Sequence, residues 1–474
     1  MNNADAAWLH MDRPTNLMVV NAVLWFDEPL DLDRAREVLR MRWVEPFPRF
    51  RQRVVEPRAG IGVPSWQDDR HFDPGRHIHH IALPAPGDKA TLERLVGDLM
   101  VTPLDRSRPL WDIYLIDGYG SGMAMMFRIH HCIADGIALS RVLLSLTDAM
   151  PDVGIEPARD NASRRGRIGA IAAPVKAGVQ LAGAGLQEGF GILAHPASEL
   201  TALSAGARAL AKLLITGPDT KTVLSEKLGV ARRVTWSEPM PLRDVKKIGE
   251  ATGTTVNDVL VAAITGALHS YLSAHDSLVD EIRVLVPFNL RPLDQPLPRE
   301  LGNRFGFAYL TLPVGLADAA GRLAEVHRRM DAIKRSPESA LSYGILETIG
   351  MTPLQIEQQL LNVFTQKISA VLTNVPGPSE PLSFAGSKLA GVVFWVPAAG
   401  TIGMGISIFS YSGGVIVGLQ VDPRLVPDPE AILAEYEHQV ATLDWLATRH
   451  RAKPPARAAA HGRPRSSGDG RKRR

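Results

Sequence analysis

The chain has 474 residues, which is too long for one ordinary hydrophobic core, so two domains or lobes are expected. Apolar residues make up 45% and charged residues 22% of the sequence, as in soluble globular proteins, and a single cysteine, Cys132, excludes an internal disulfide and suits a reducing cytoplasm. The net charge of +3 is uneven, because residues 451–474 carry +8 and the rest −5, and a mildly acidic body argues against a nucleic-acid-binding protein.

Strands and helices alternate in the first 150 residues. The opening stretch "MNNADAAWLHMDRP" has charges where a signal peptide needs an apolar core, which again favours a cytoplasmic protein. Strand-like patterns and helical spacing follow one another, and together they predict an N-terminal α/β lobe over residues 1–150. The predicted strands are "LMVVNAVLWF", "RHIHHIAL", "WDIYLID" and "GMAMMFRIH", and the predicted helices are "DLDRAREVLRMRW", "DKATLERLVGDLM" and "GIALSRVLLSLTDAM".

A change in composition separates this lobe from the next. Residues 151–220 are rich in Ala and Gly, and we predict a linker of weak helices that packs over the lobes or contacts lipid. Residues 221–450 return to mixed helix and strand patterns, which predicts a second α/β lobe. Residues 451–474 lack apolar periodicity and are expected to be disordered, either contacting anionic lipid or remaining solvated without a function.

The second lobe contains the longest uncharged run of the sequence, Leu389–Val421. Its length exceeds the roughly 20 residues of a membrane-spanning helix. Pro397 and several glycines divide it into three pieces of strand length, so we predict buried strands and no span. The stretches that begin at Val23 and Arg233 are similar, since each has a strand, a turn containing Pro and a charged helix. This similarity is either coincidental or a sign of two related lobes.

The segment "FRIHHCIADGIAL" places two histidines where a strand ends and an aspartate where a helix begins. Asp135 is suited to cap the helix, and Gly136 would permit a sharp turn or the close approach of another segment. Neighbouring strand residues point to opposite faces, so His130 and His131 should not share one cleft, and one of them is expected to act as a base while the other packs.

Other histidines and the cysteine are expected to have ordinary roles. His77 and His79 share one strand face and could bind a metal, but no further ligand is evident, so packed or solvated histidines are favoured. Cys132 adjoins the histidines, but strand alternation would turn it away from the base.

The motif "HHCIADG" resembles the HHxxxDG motif of the coenzyme-A-dependent acyltransferase superfamily. Flanking segments narrow the resemblance to the bacterial wax ester synthase/diacylglycerol acyltransferase family, over about residues 8–445. These segments are "PFPRFRQRVV", "PLDRSRPLWDIYLIDG", "TVNDVLVAAITGAL", "LVPFNLRP", "LGNRFGF", "LTNVPGP" and "VDPRLVPDPE", and the opening "NNADAAWLH" is similar to a shortened form of the family's start.

The resemblance implies two chloramphenicol-acetyltransferase-like lobes with an active-site tunnel between them. It also implies that His131 is the general base and that Asp135 is structural, with Arg291 as its candidate partner. An imidazole is suited to take a proton from an alcohol that attacks a thioester. The tetrahedral oxyanion would need a donor, for which Asn289 is a candidate, although capping of a strand end is an equally good explanation of that residue.

The expected activity is transfer of a long-chain acyl group from acyl-CoA to diacylglycerol or a fatty alcohol. This reaction requires no metal or redox cofactor, and its lipid substrates imply peripheral contact with a membrane or lipid-droplet surface. Two alternatives remain open, namely an acyltransferase of the same superfamily with another alcohol or an amine as acceptor, and a non-catalytic lipid-binding protein of this fold.

Overall fold

The computed structural model describes residues 1–57, 62–148, 155, 216–291, 295–336, 342–344 and 354–452. Most of the predicted linker (151–220) and nearly all of the predicted tail (451–474) therefore lie outside the described residues.

The first half of the chain builds most of a six-stranded sheet. Along the sheet the strand order is β12-β13-β1-β6-β5-β4, and β1 lies between β6 and β13 with antiparallel pairing on both sides. Its strands are β1 (Val19–Phe26), β4 (Ile78–Ala82), β5 (Trp111–Tyr119), β6 (Gly122–His130), β12 (Ser383–Phe384) and β13 (Ser387–Trp395), and a separate pair is formed by β2 (Gln52–Val55) and β3 (Ser65–Asp68).

Within the described residues, four α-helices accompany this sheet, and aspartate side chains cap three of them. Asp31, Asp88 and Asp135 each accept backbone N–H groups of the first helical turn, because those groups have no partner within the helix. The helices are α1 (Asn3–His10), α2 (Leu32–Leu39), which continues as a π-helical turn, α3 (Lys89–Met100) and α4 (Gly136–Ser145). The strands and helices predicted in this half are confirmed, whereas α1, β2 and β3 were not predicted.

The second half forms a seven-stranded sheet with the order β10-β9-β11-β14-β15-β7, and β8 pairs with β15. Its strands are β7 (Arg233–Trp236), β8 (Met240–Pro241), β9 (Ile282–Asn289), β10 (Phe305–Leu312), β11 (Ala370–Pro376), β14 (Met404–Tyr411) and β15 (Gly414–Val421). Its helices are α5 (Leu242–Thr252), α6 (Val256–Ala274), α7 (Ala319–Lys334), α8 (Leu354–Thr365) and α9 (Pro429–Ala452). Apolar side chains of α5, α6, α7 and α9 pack with this sheet in one core.

The uncharged run from Leu389 to Val421 forms strands, as predicted, and supplies β13, β14 and β15. None of the helices within the described ranges is long and apolar enough to cross a membrane. Strand β13 belongs to the first sheet and β14 to the second, so the chain crosses between the sheets after Trp395. Residues 383–395, which the sequence assigns to the second lobe, thus complete the first sheet, and the two halves are interlocked.

Candidate active site

The two motif histidines lie where the central strand β6 gives way to a short turn. β6 ends at His130, and the backbone N–H of His131 donates to the Met18 carbonyl at 2.7 Å, beside the start of β1. Helix α4 then begins at Gly136, and Asp135 Oδ1 accepts the Ala138 N–H at 2.8 Å. The predicted strand end and helix cap are therefore both present.

His131 is buried between aromatic rings and is held through one ring nitrogen. Its ring stacks on Trp8 with centroids 4.2 Å apart and lies 5.4 Å from the ring of Phe305. Nδ1 is 3.0 Å from Asn303 Oδ1, and Nε2 has no hydrogen-bond partner among the residues that the structure describes. Burial lowers the pKa of His131 to about 4, so the imidazole is neutral at neutral pH and its Nε2 is available as a base.

His130 occupies different surroundings. Its Nδ1 accepts the Cys132 N–H at 3.2 Å, and its Nε2 lies 3.7 Å from Asp12 Oδ2. The prediction that the two histidines do not share one environment agrees with these contacts. His130 packs beside Asp12, and His131 faces Trp8.

Asp135 and Arg291 form the predicted contact between the two halves of the chain. Arg291 Nη2 is 3.4 Å from Asp135 Oδ2 and donates to the Gly302 carbonyl at 3.0 Å. Asp135 Oδ2 also accepts the Arg304 N–H at 3.0 Å. Both charged side chains are buried, so this carboxylate is fully engaged in holding the motif against the segment 302–304.

Asn289 caps the end of β9. Its Nδ2 donates to the Arg291 carbonyl at 2.6 Å and its Oδ1 accepts the Arg291 N–H at 2.9 Å. Both ends of the amide are used by the backbone of the following turn. Of the two roles considered for this residue, the contacts favour the strand-end cap, and they give no support to an oxyanion donor.

Gly136 has neither of the properties expected for it. It is the first residue of α4 with an ordinary backbone conformation, and a Cβ at this position would meet no atom within 4 Å. The open space beside it belongs to an apolar cavity of about 60 Å³. Residues of α4, β1, β6, β13, β14 and the segment 376–378 line this cavity, among them Val20, Leu139, Leu143, Val392, Phe394 and Phe409.

Cys132 follows the end of β6 instead of lying on it, so the expected strand alternation does not apply. The side chain is nevertheless buried, and burial raises the pKa of the thiol well above its usual value. A thiol that resists ionisation is a poor nucleophile, and Cys132 is therefore unsuited to covalent catalysis.

His77 precedes β4 and only His79 lies on it, so the predicted shared strand face is not present, and the two side chains have packing and polar roles. His77 stacks on Trp111 at 4.5 Å and its Nδ1 contacts the Trp111 carbonyl at 2.8 Å, whereas His79 Nε2 lies 3.2 Å from Asp112. Trp111 itself is buried. No group of metal-ligating side chains occurs within the described ranges.

Four residues that contact His131 directly or through one neighbour were given no role by the sequence, namely Trp8, Asp5, Asn303 and Phe305. Trp8 and Asp5 lie on α1, and Asn303 follows a turn in which Leu301 and Gly302 both have positive φ. Asp5 Oδ1 accepts one hydrogen bond from the backbone N–H of Asn303 at 2.9 Å and another from the side-chain Nδ2 of Asn303 at 2.8 Å. The available signal was a lone acidic residue within the small and apolar "ADAAWL", since a buried carboxylate requires a partner.

Comparison with known proteins agrees with this geometry. The model of the wax ester synthase/diacylglycerol acyltransferase catalytic domain matches residues 1–260, and that of the family's C-terminal domain matches residues 301–444. The chain is 28% identical over 426 residues to a probable diacylglycerol O-acyltransferase, tgs1, of Mycobacterium tuberculosis, covering 86% of this chain and 87% of the relative.

Solved structures show the same fold. The wax ester synthase/diacylglycerol acyltransferase from Marinobacter aquaeolei superposes with a TM-score of 0.66 at 24% identity, over 94% of this chain and 98% of that one. A condensation domain of the calcium-dependent antibiotic synthetase gives a TM-score of 0.58 at 16% identity, over 94% of both chains. With both family models matched in order on a two-sheet fold, the chain belongs to the wax ester synthase/diacylglycerol acyltransferase family.

Proposed function

We propose that this acyltransferase moves a long-chain acyl group from coenzyme A to the hydroxyl of a diacylglycerol or a fatty alcohol, with His131 as general base. The products are triacylglycerol or wax ester. Membership of the family supports this reaction, as do the names of the mycobacterial and Marinobacter relatives.

The state of His131 is the observation that carries the proposal. Nδ1 faces an amide oxygen while Nε2 has no partner among the described residues, so Nε2 can take the proton of an acceptor hydroxyl. The freed oxygen attacks the thioester carbonyl and forms a tetrahedral intermediate. When this collapses, the carbon–sulfur bond breaks, the proton passes from Nε2 to the leaving thiolate, and ester and free coenzyme A remain.

No covalent enzyme intermediate, metal or redox cofactor takes part in this sequence of steps. The Asp135 carboxylate has a structural role, because it binds Arg291 and accepts the backbone N–H groups of Ala138 and Arg304. The Cys132 thiol is buried and resists ionisation. The proton transfer therefore rests on His131 alone.

The apolar cavity beside Gly136 supports a lipid substrate. Its lining is almost entirely aliphatic and aromatic, which suits an alkyl chain that gains free energy with each methylene removed from water. The cavity is thus a candidate site for an acyl chain or an apolar acceptor.

Turnover with defined substrates tests the proposal. Full-length protein is incubated with palmitoyl-coenzyme A and either hexadecanol or a diacylglycerol, while thiol release is followed and the lipid product is identified. We expect ester with at least one acceptor, and a loss of at least 100-fold in kcat for His131→Ala. Palmitoyl-coenzyme A binding without ester from either acceptor would refute the assignment and favour another acceptor or a lipid-binding role.

The lipid substrates also imply that the protein works peripherally at a membrane or lipid-droplet surface. Sedimentation of the full chain with anionic and neutral vesicles tests this, in parallel with a chain that ends at residue 452. Vesicle binding that is lost with residues 453–474 would assign the contact to the basic tail, and no binding to either vesicle would contradict the peripheral location.

A further inference from the structure

We propose that Asp5 and Asn303 are positioning residues that fix the tautomer of His131 and stabilise its imidazolium form, with Trp8 holding the plane of the ring. The inference rests on the proposed function of His131 as general base. It adds a role for α1, which precedes the first sheet strand and lies 120 residues from the motif.

The hydrogen bonds around Asn303 determine the orientation of its amide. One end of the amide lies 2.8 Å from Asp5 Oδ1 and 2.7 Å from the His131 carbonyl oxygen. A main-chain carbonyl can only accept, so this end must be the NH₂ group. The opposite end is then the oxygen, and it lies 3.0 Å from His131 Nδ1.

This orientation determines the tautomer of His131. Because the Asn303 oxygen can only accept, Nδ1 must carry a hydrogen and donate to it. Nε2 of the neutral ring then holds the lone pair that is needed to take a proton. If the amide were reversed, its oxygen would face two acceptors, Asp5 Oδ1 and the His131 carbonyl. The observed arrangement therefore excludes the neutral tautomer that carries its hydrogen on Nε2.

Asp5 also has an electrostatic role. A buried imidazolium is costly, and burial already lowers the pKa of His131 to about 4. The Asn303 amide lies between the Asp5 carboxylate and the His131 ring and hydrogen-bonds to both. Its negative charge favours the protonated ring that forms as the hydroxyl is deprotonated, and the Trp8 face, 4.2 Å away, favours it further.

The ionisation of Asp5 gives the arrangement a measurable pH dependence. Burial raises the pKa of Asp5 to about 7, so the charge appears as the pH rises through neutrality. The charged and titratable groups around Asp5 are Arg49, the chain's amino terminus and Cys132. Around His131 they are Asp135 and His130.

The positions of Asp5 and Asn303 depend on the local backbone. Asn2 caps α1 by accepting the Asp5 N–H at 2.6 Å. The turn before Asn303 is fixed on the motif loop, since the Gly302 N–H donates to the Ile133 carbonyl at 2.9 Å. Asn2→Ala removes this cap but keeps the Asp5 carboxylate and the Asn303 amide, so it is the control for a general weakening of α1.

The first experiment measures kcat and KM from pH 5.5 to 9 for wild type, Asp5→Asn, Asn303→Ala and Asn2→Ala. We expect kcat of Asp5→Asn and Asn303→Ala to fall by about tenfold to a hundredfold, with KM changed less than about twofold. The rise of kcat near pH 7 in the wild type should be absent in Asp5→Asn and kept in Asn2→Ala. An unchanged pH profile and kcat in Asp5→Asn would overturn the inference.

A second measurement separates this inference from the acyl-transfer reaction itself. Long-range ¹H–¹⁵N spectra of labelled histidines report the tautomer, and His131→Gln identifies the signal. We expect the Nδ1–H form in wild type and Asn2→Ala, and a mixture of tautomers in Asn303→Ala. The Nδ1–H form without ester formation would reject the reaction but keep the positioning role, whereas ester formation by an Nε2–H tautomer would reject the positioning role alone.

Discussion

Replacement of Arg291 by methionine should destabilise the fold by leaving the Asp135 carboxylate without its buried cationic partner. The two side chains are 7% and 2% exposed, with 3.4 Å between Nη2 and Oδ2. Removing one member of a buried ion pair costs about 3–5 kcal/mol. Asp135 keeps its bonds to the Ala138 and Arg304 N–H groups, so we expect a loss near the lower limit, about 3 kcal/mol, in the free energy of unfolding.

Urea unfolding of the full chain, followed by tryptophan fluorescence, measures this loss. Arg304→Met is the matched control, because Arg304 contacts Asp135 only through its backbone N–H and its side chain is exposed. The control should stay within about 0.5 kcal/mol of wild type. Equal stability of the two variants would show that the ion pair does not hold the motif to the second half of the chain.

Four further predictions follow from the site. Gly136→Ala should leave the unfolding free energy unchanged or raise it by about 0.4–1 kcal/mol, since its Cβ enters open space; a clear loss in urea unfolding would contradict this. Leu139→Trp should narrow the apolar cavity and lower kcat/KM for palmitoyl-coenzyme A more than for a short-chain donor; equal losses for both donors would remove the cavity from chain binding. Cys132, the only cysteine, should react with a thiol reagent at pH 8 only after unfolding in urea, and rapid labelling of folded protein would refute its burial. Because burial raises the pKa of Asp5 from 3.8 to about 7, the folded protein keeps a proton that the unfolded chain has released, and it loses stability as the pH rises. Relative to Asp5→Asn, wild type should lose about 1 kcal/mol per pH unit between pH 5 and 7, and parallel stability curves would contradict the shift.

Local sequence predicted the elements that carry the motif. The apolar pattern of "GMAMMFRIH" and the helical spacing after Asp135 predicted β6, the turn and α4, because strand alternation and capping depend on neighbouring residues. The Asp135–Arg291 contact was predicted through resemblance to the family, since residues 156 positions apart carry no local signal of their proximity.

The surroundings of His131 required the tertiary structure. Asp5, Trp8 and Asn303 come from α1 and from the turn before β10, and they meet the histidine only when the two halves of the chain pack together. The crossing of β13 into the first sheet was also absent from the local pattern, because buried strands look alike whichever sheet they join. For Asn289, sequence could not choose between two roles, and the choice depended on which backbone atoms lay within reach of its amide.

The sequence by itself thus determined the local elements and the motif, and through resemblance to the family it indicated His131 as the candidate base. Tertiary packing decided which ring nitrogen of His131 contacts Asn303, which carboxylate is buried near that amide, and where the apolar cavity lies. The physical reason is that helix capping and strand alternation act over a few residues, whereas burial and long-range hydrogen bonds depend on segments that the sequence separates and folding brings together.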